Sequence, residues 1–385
     1  CGAGKGARGT RRGMMNRAVS LGLLLAGAAI AADDPFADVR PQMAPAATEP
    51  AIPWWRDNWQ VRRELYGVVA GGWHDLDDTG RASVRLSAGF EVQKRLATAT
   101  RTLGAVDYQG RVVYREHSLN ATGDAMGMDA ARWTYETHNA YFELYNVAGE
   151  LGRLNLRAGR FYVPFGLSWQ TDTHGTLLQL ANERVFGDSH DWQVTAYGNA
   201  TELLDYQVGY VFGAGPRQHW DGQSGMAVGR LGLNNTARNE RGREGGISAA
   251  YGQRLDPAVG AGVVDTWRVG VDARQRLDTG GGPITLTGEG AAGEDDQRAV
   301  WSGLLQADWL HPSRRWGAAA QYTYFTRRAA TPATQQSAAL VATRYFRNEV
   351  GNTALHWLAV GVENRWAATD MPDDTLLLAQ YYHYW

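Results

Sequence analysis

Charged side chains recur at every second position along several short stretches of this sequence. In residues 82–93, "ASVRLSAGFEVQ", Arg85 and Glu91 share a face with Ser83, Ser87 and Gln93, while Val84, Leu86, Phe90 and Val92 share the other. In residues 106–115 Asp107, Arg111 and Arg115 oppose Val106, Tyr108, Val112 and Tyr114. Arg153 and Arg157 alternate with Leu154, Leu156 and Ala158. Period-two alternation marks strands with one oily and one wet face. If the wet faces converge on a common interior, these five arginines, Glu91 and Asp107 line it, joined by Arg62, Glu64, Glu143, Asp205, Arg268, Asp272, Arg274 and Glu289. The chemistry of such a wall is electrostatic: fixed charges of both signs beside confined water orient and sort dipolar solutes and ions.

Covalent and metal chemistry find less support. Ser168, Asp172 and His174 supply the residue types of a hydrolytic triad, yet neighbours on one loop seldom reach triad geometry. Asp75, Asp77, Asp78 and Gly80 have Ca²⁺-loop spacing, but the twelfth position is Leu86 inside a strand, where a bidentate Glu is needed. A polar hairpin tip is the simpler reading. The nine histidines form no HxxxH or HExxH pair, so no metal site is argued. "GAGKGARG" near the start lacks the spacing and the preceding strand of a phosphate loop. No catalytic residue, no metal and no cofactor are expected.

The elements that would hold the charged wall follow from composition. Met14 begins "MMNRAVSLGLLLAGAAIAADDPF", with Arg17 as a positive n-region, an apolar core over 18–28 and a small-x-small site at Ala29-Ile30-Ala31. This predicts upstream residues and a signal peptide over 1–31, a flexible Ala/Pro-rich periplasmic lead-in over 32–57, and the folded part over 58–385. Cys1 is the only cysteine, which excludes a disulfide-stapled scaffold and any thiolate metal site. Lys5, Arg8, Arg11, Arg12 and Arg17 all fall in the leader, so the net charge of −2 becomes −7 beyond it. A nucleic-acid partner is excluded for want of a basic field.

Beyond the signal no apolar run reaches the length of a helical span. The mean hydropathy of −0.39 would suit a soluble protein, yet the chain holds 15 Trp, 17 Tyr and 47 Gly. Transmembrane β-barrels combine these features, because every second residue faces a wet interior while aromatics girdle the outside. Trp73, Trp192, Trp267, Trp301, Trp309 and Trp316 fall at strand ends. The alternation predicts sixteen strands, starting near 59, 82, 103, 137, 152, 191, 203, 224, 245, 264, 283, 299, 315, 335, 354 and 374. Those near 224, 335 and 354 alternate poorly. Connections over 117–136 and 163–190 are long, and 148–151 and 199–202 are short, as extracellular loops and periplasmic turns should be. Residues 235–244 break that rule. A soluble sandwich, propeller or solenoid would show a linker or a fixed repeat, and the sequence has neither after residue 58.

The connection after "LNLRAGRFYVPFGLSW" (154–169) is the third extracellular one. Pro164 has no N–H to donate and ends the ladder. Here Gly159, Arg160, Phe161, Pro164, Phe165 and Gly166, then Glu183 and Arg184, then Gly209, Gly213 and Gly215, resemble the pattern of the phosphate-selective (O/P-type) superfamily of bacterial outer-membrane porins. The resemblance is specific over 152–215 and architectural elsewhere. It implies an all-β transmembrane antiparallel barrel in a Gram-negative outer membrane, set in lipid and lipopolysaccharide, with the third loop folded inward as a constriction carrying Pro164, Phe165, Gly166, Asp172, Glu183 and Arg184. It also implies a homotrimer and passive transport of small hydrophilic solutes or ions. A phosphate preference does not carry over, since Lys94 is the only lysine beyond the leader and acids match the wall arginines. Trp385 closes an alternating strand, as in the signal read by the barrel-assembly machinery, with His383 departing from the usual aromatic or aliphatic residue two places earlier. The alternative is a plugged barrel with an enzymatic or structural role. Across a water-filled neck, wall arginines facing Asp172, Glu183, Asp188 and Asp191 would set up a transverse field.

Overall fold

The computed structural model describes residues 59–74, 79–98, 101–117, 133–148, 152–167, 176–179, 190–213, 224–233, 242–255, 262–327, 333–348, 355–367 and 374–385. They hold sixteen strands: β1 Trp59–His74, β2 Thr79–Ala97, β3 Thr102–His117, β4 Trp133–Leu144, β5 Asn155–Tyr162, β6 His190–Asn199, β7 Leu204–Val211 and β8 Gly225–Leu233, then β9 Arg243–Leu255, β10 Val263–Thr279, β11 Gly282–Asp295, β12 Arg298–Leu310, β13 Trp316–Arg327, β14 Ala333–Asn348, β15 Leu355–Ala367 and β16 Asp374–Tyr384. Each pairs antiparallel with its sequence neighbours, and β1 pairs with β16, so the barrel is closed. Reciprocal backbone bonds between Arg63 and Trp385 extend that seam. Closure leaves no free sheet edge, which any β-structure in lipid must avoid.

The alternation decides which way each side chain points. On β1, Val61, Leu65 and Val69 are exposed outward while Glu64, Tyr66 and Ala70 are buried toward the interior. The pattern continues round the barrel: Val208, Ile247, Leu305, Leu340 and Leu377 lie outside, and Asp205, Ser248, Leu304, Val341 and Leu376 lie inside. The outer face is thus an apolar surface built on a polar interior, which accounts for a low mean hydropathy in a chain of this kind.

Strand starts agree with the alternation to within four residues. The largest difference is β4, which starts at Trp133 rather than near 137. There Trp133 and Tyr135 point outward, ahead of a bulge at His138, where the register steps from Gly110–Thr137 to Gln109–Asn139. The extra residue shifts the phase of β4 against β3. At Gly159 and Arg160 themselves pairing is continuous with both neighbours. The turn between β11 and β12 is a two-residue one, with Asp296 at φ 45° and Gln297 at φ 67°, the conformation that matches strand twist. The intervals between β4 and β5, residues 145–154, and between β8 and β9, residues 234–242, are the long ones on the otherwise short-turn side.

Candidate functional site

Two features face the interior: a charged wall and a strap that leaves it. The strap begins where β5 stops. Phe165 N–H bonds back to Val163 O at 2.8 Å, turning the chain sharply at Pro164. Gly166 follows with φ 64°, a left-handed conformation that favours glycine. A Cβ on Gly166 would lie 2.0 Å from Glu289 Oε2. The close approach serves two bonds: Gly166 N–H donates to Ser248 Oγ at 3.0 Å, and Leu167 N–H to Glu289 Oε2 at 3.0 Å. Ser248 is on β9 and Glu289 on β11, well round the barrel from β5. The chain therefore crosses the interior within a few residues of leaving the wall.

Apolar contacts fix this first landing. Val163 and Phe165 pack with Val211, Met226, Val228 and Ala250, all on the inner faces of β7, β8 and β9. The Phe165 ring lies over Gly270, where an added Cβ would meet it at 2.7 Å. Burying such side chains contributes about 1.5–3 kcal/mol each. Residues 176–179 make a second landing. Leu178 packs with Tyr66, Ala339, Val341, Trp357, Ala359 and Tyr382 on β1 and β14–β16. Gln179 N–H donates to Gln321 Oε1 at 3.0 Å, its carbonyl accepts from Gln321 Nε2 at 2.9 Å, and its amide donates to Glu363 Oε1 at 2.8 Å. Asp172, Glu183, Arg184 and Asp188 lie outside the described residues.

The charged wall is paired within itself. Glu136 accepts from Arg115 at 2.5 Å and from Arg85 at 3.3 Å, and lies 3.8 Å from Arg111 Nε. Arg111 also reaches Glu64 at 3.3 Å. Arg62 bonds Glu91 at 3.3 Å, and Tyr384 donates to the same carboxylate. Glu143 holds Arg157, whose guanidinium sits between the rings of Tyr141, Phe161 and Tyr197 at 4.8–5.0 Å. Asp107 is buried on the same face. Across the barrel, Arg254, Arg268 and Arg327 converge on Asp295 at 2.9, 2.7 and 3.1 Å. Arg230 sits between Asp272 at 2.6 Å and Asp205 at 3.7 Å, and Arg274 bonds Glu244 at 2.9 Å.

Arg85, Arg111, Arg115, Arg157, Glu91 and Asp107 thus share the interior. Arg153 does not: it precedes β5 in a turn opened by Gly152 at φ 80°. Its guanidinium bonds the carbonyls of Asn199 and Ala200 and clamps two turns at one rim. The strand begins at Asn155, so the alternation read through Arg153 ran past its end. Glu136 is the residue that sequence reasoning missed. The signal was present in Trp133 and Tyr135, whose outward alternation extends β4 backward to include it.

No family model matches the sequence, and no curated protein matches it. Solved structures do. The anion-selective porin from Comamonas acidovorans is similar at a TM-score of 0.55 and 11% identity, over 85% of this chain and 99% of that one. OccAB4 of Acinetobacter baumannii gives 0.54 and 10%, over 87% and 100%. OmpF of Salmonella typhi, solved in complex with daunomycin, gives 0.53 and 13%, over 84% and 97%. At these identities the likeness establishes a shared barrel fold. The superfamily named from residues 152–215 gains nothing specific from it.

Proposed function

We propose that this protein is a channel of the bacterial outer membrane through which small hydrophilic solutes or ions diffuse passively, with the strap over 163–190 as its neck. The observation that carries the reading is the double landing of that strap on the inner wall, at Ser248 and Glu289 and again at Gln321 and Glu363. A segment held across the interior of a barrel narrows whatever passes through. Three further observations support it: the apolar outer face, the wall of paired charges and a fold shared with porins over nearly their whole length. The phosphate-selective superfamily and a homotrimer belong to the same reading and rest on the resemblance of residues 152–215.

Selectivity in this reading comes from charges the wall leaves unbalanced. Arg85, Arg111 and Arg115 face two carboxylates, Glu64 and Glu136, for a local net of +1. Arg254, Arg268 and Arg327 share Asp295, three cations on one carboxylate. The acids that screen the arginines thus include the wall's own Glu136, Glu64 and Asp295.

Swelling of liposomes that contain the refolded protein tests the channel against the plugged barrel. Swelling rates should fall with sugar size, from fast for a monosaccharide to slow for a trisaccharide. Liposomes that stay as tight as protein-free controls would leave only the plugged alternative.

A further inference from the structure

His383 is the departure in the aromatic pattern that ends at Trp385, and the structure supplies its partner. His356 on β15 stands directly opposite His383 on β16. Trp385 exchanges backbone bonds with Arg63 of β1. By strict alternation Tyr384 turns its backbone groups to β15 and His383 turns its own back to β1. The His356–His383 pair is therefore a non-hydrogen-bonded one with respect to β15, the class in which facing side chains come closest. The imidazole centroids are 4.6 Å apart with the rings inclined by 27°. Both rings project outward, at the rim where β16 closes the barrel.

The neighbourhood isolates this pair from other polar partners. Trp385 stacks on His383 at 4.2 Å, and Phe346 and Tyr381 meet His356 at 4.8 and 5.4 Å. Among the described residues neither imidazole makes a hydrogen bond. His311, by contrast, engages Ser313 through Nδ1 at 2.8 Å. Two half-buried imidazoles with uncommitted nitrogens thus face each other where β16 ends. Their terminal torsions lie in broad wells, so the two rings can turn out of this stack and bring one in-plane nitrogen of each toward a shared ion, at the distance of about 2 Å that late first-row ions require.

We propose that His356 and His383 form a two-imidazole site for a divalent late first-row transition metal ion, Cu²⁺ most tightly, with water completing the coordination. Imidazole suits Cu²⁺, Ni²⁺ and Zn²⁺, and affinity at a nitrogen site peaks at Cu²⁺. Arg347, opposite His356, places a positive charge nearby and weakens the site without blocking it. The bound ion ties β15 to β16, the strand whose far edge closes the barrel. The site works independently of whether the interior conducts.

The test uses the full chain refolded in detergent and titrated with Cu²⁺, read by calorimetry and by electron paramagnetic resonance. The wild type should bind one ion per chain with a two-nitrogen hyperfine pattern, and its heat-modification midpoint should rise. His383→Phe restores an aromatic residue at that place, and His356→Gln keeps a polar side chain; folding of each is checked by the gel shift of the native barrel. Each variant should lose the two-nitrogen signal and the midpoint shift. A wild type with no saturable binding, or either folded variant that keeps the signal, overturns the proposal.

Discussion

Glu136 gathers three guanidinium groups, and their exposures separate two roles. The Arg111 side chain is 1% exposed and its partner Glu64 is 3% exposed. Arg111→Ala removes the cation beside that buried carboxylate, which keeps the Gln109 amide donor at 3.2 Å, and breaking a buried ion pair costs about 3–5 kcal/mol. The expected outcome is poor refolding or a clearly lowered heat-modification midpoint. Arg85 is 31% exposed to the interior. Removing it should cost about 0–1 kcal/mol while shifting the reversal potential under a salt gradient toward cations. Glu136→Gln does the opposite, raising the local net from +1 to +2 and shifting the potential toward anions. Unchanged potentials in both Arg85→Ala and Glu136→Gln would mean that these charges only solvate the wall. Sequence alone showed the arginines but not their partner. Glu136 precedes the bulge at His138, and a bulge hides the phase of residues on its far side.

Sixteen strands were legible in the sequence because alternation is enforced wherever lipid meets one face and water the other. Three stretches alternated poorly, and the strap gives the physical reason. On β8, Met226 and Val228 face inward to receive Val163 and Phe165. On β14 and β15, Ala339, Val341, Trp357 and Ala359 face inward around Leu178. An inner face covered by protein instead of water no longer needs polar residues, so the period-two signal fades there. The same contacts make Gly166 the sensitive point of the strap. Gly166→Ala adds a Cβ at φ 64° and within 2.0 Å of Glu289 Oε2. The strap's first landing should loosen while the sixteen-stranded wall stays intact. Single-channel records should show higher conductance and more open-channel noise, with an unaltered gel shift. A quiet channel of wild-type conductance would count against the landing at Ser248 and Glu289.

At the scale of the whole molecule, closure of β1 on β16 and an apolar outer face fix a barrel set in lipid. In the proposed reading the strap decides what such a barrel does: a wall of this circumference without it would be a wide hole, and with it a narrow one. Replacing residues 168–189 by a short Gly-Ser turn keeps the Val163–Leu167 landing and removes the second one, at Leu178 and Gln179, together with the span that leads to it. The most direct measurement is single-channel conductance in a planar bilayer for the wild type and this shortened strap. The account predicts discrete wild-type openings and a conductance several-fold larger in the variant. A wild type without openings, or a shortened strap with the wild-type conductance, would contradict it.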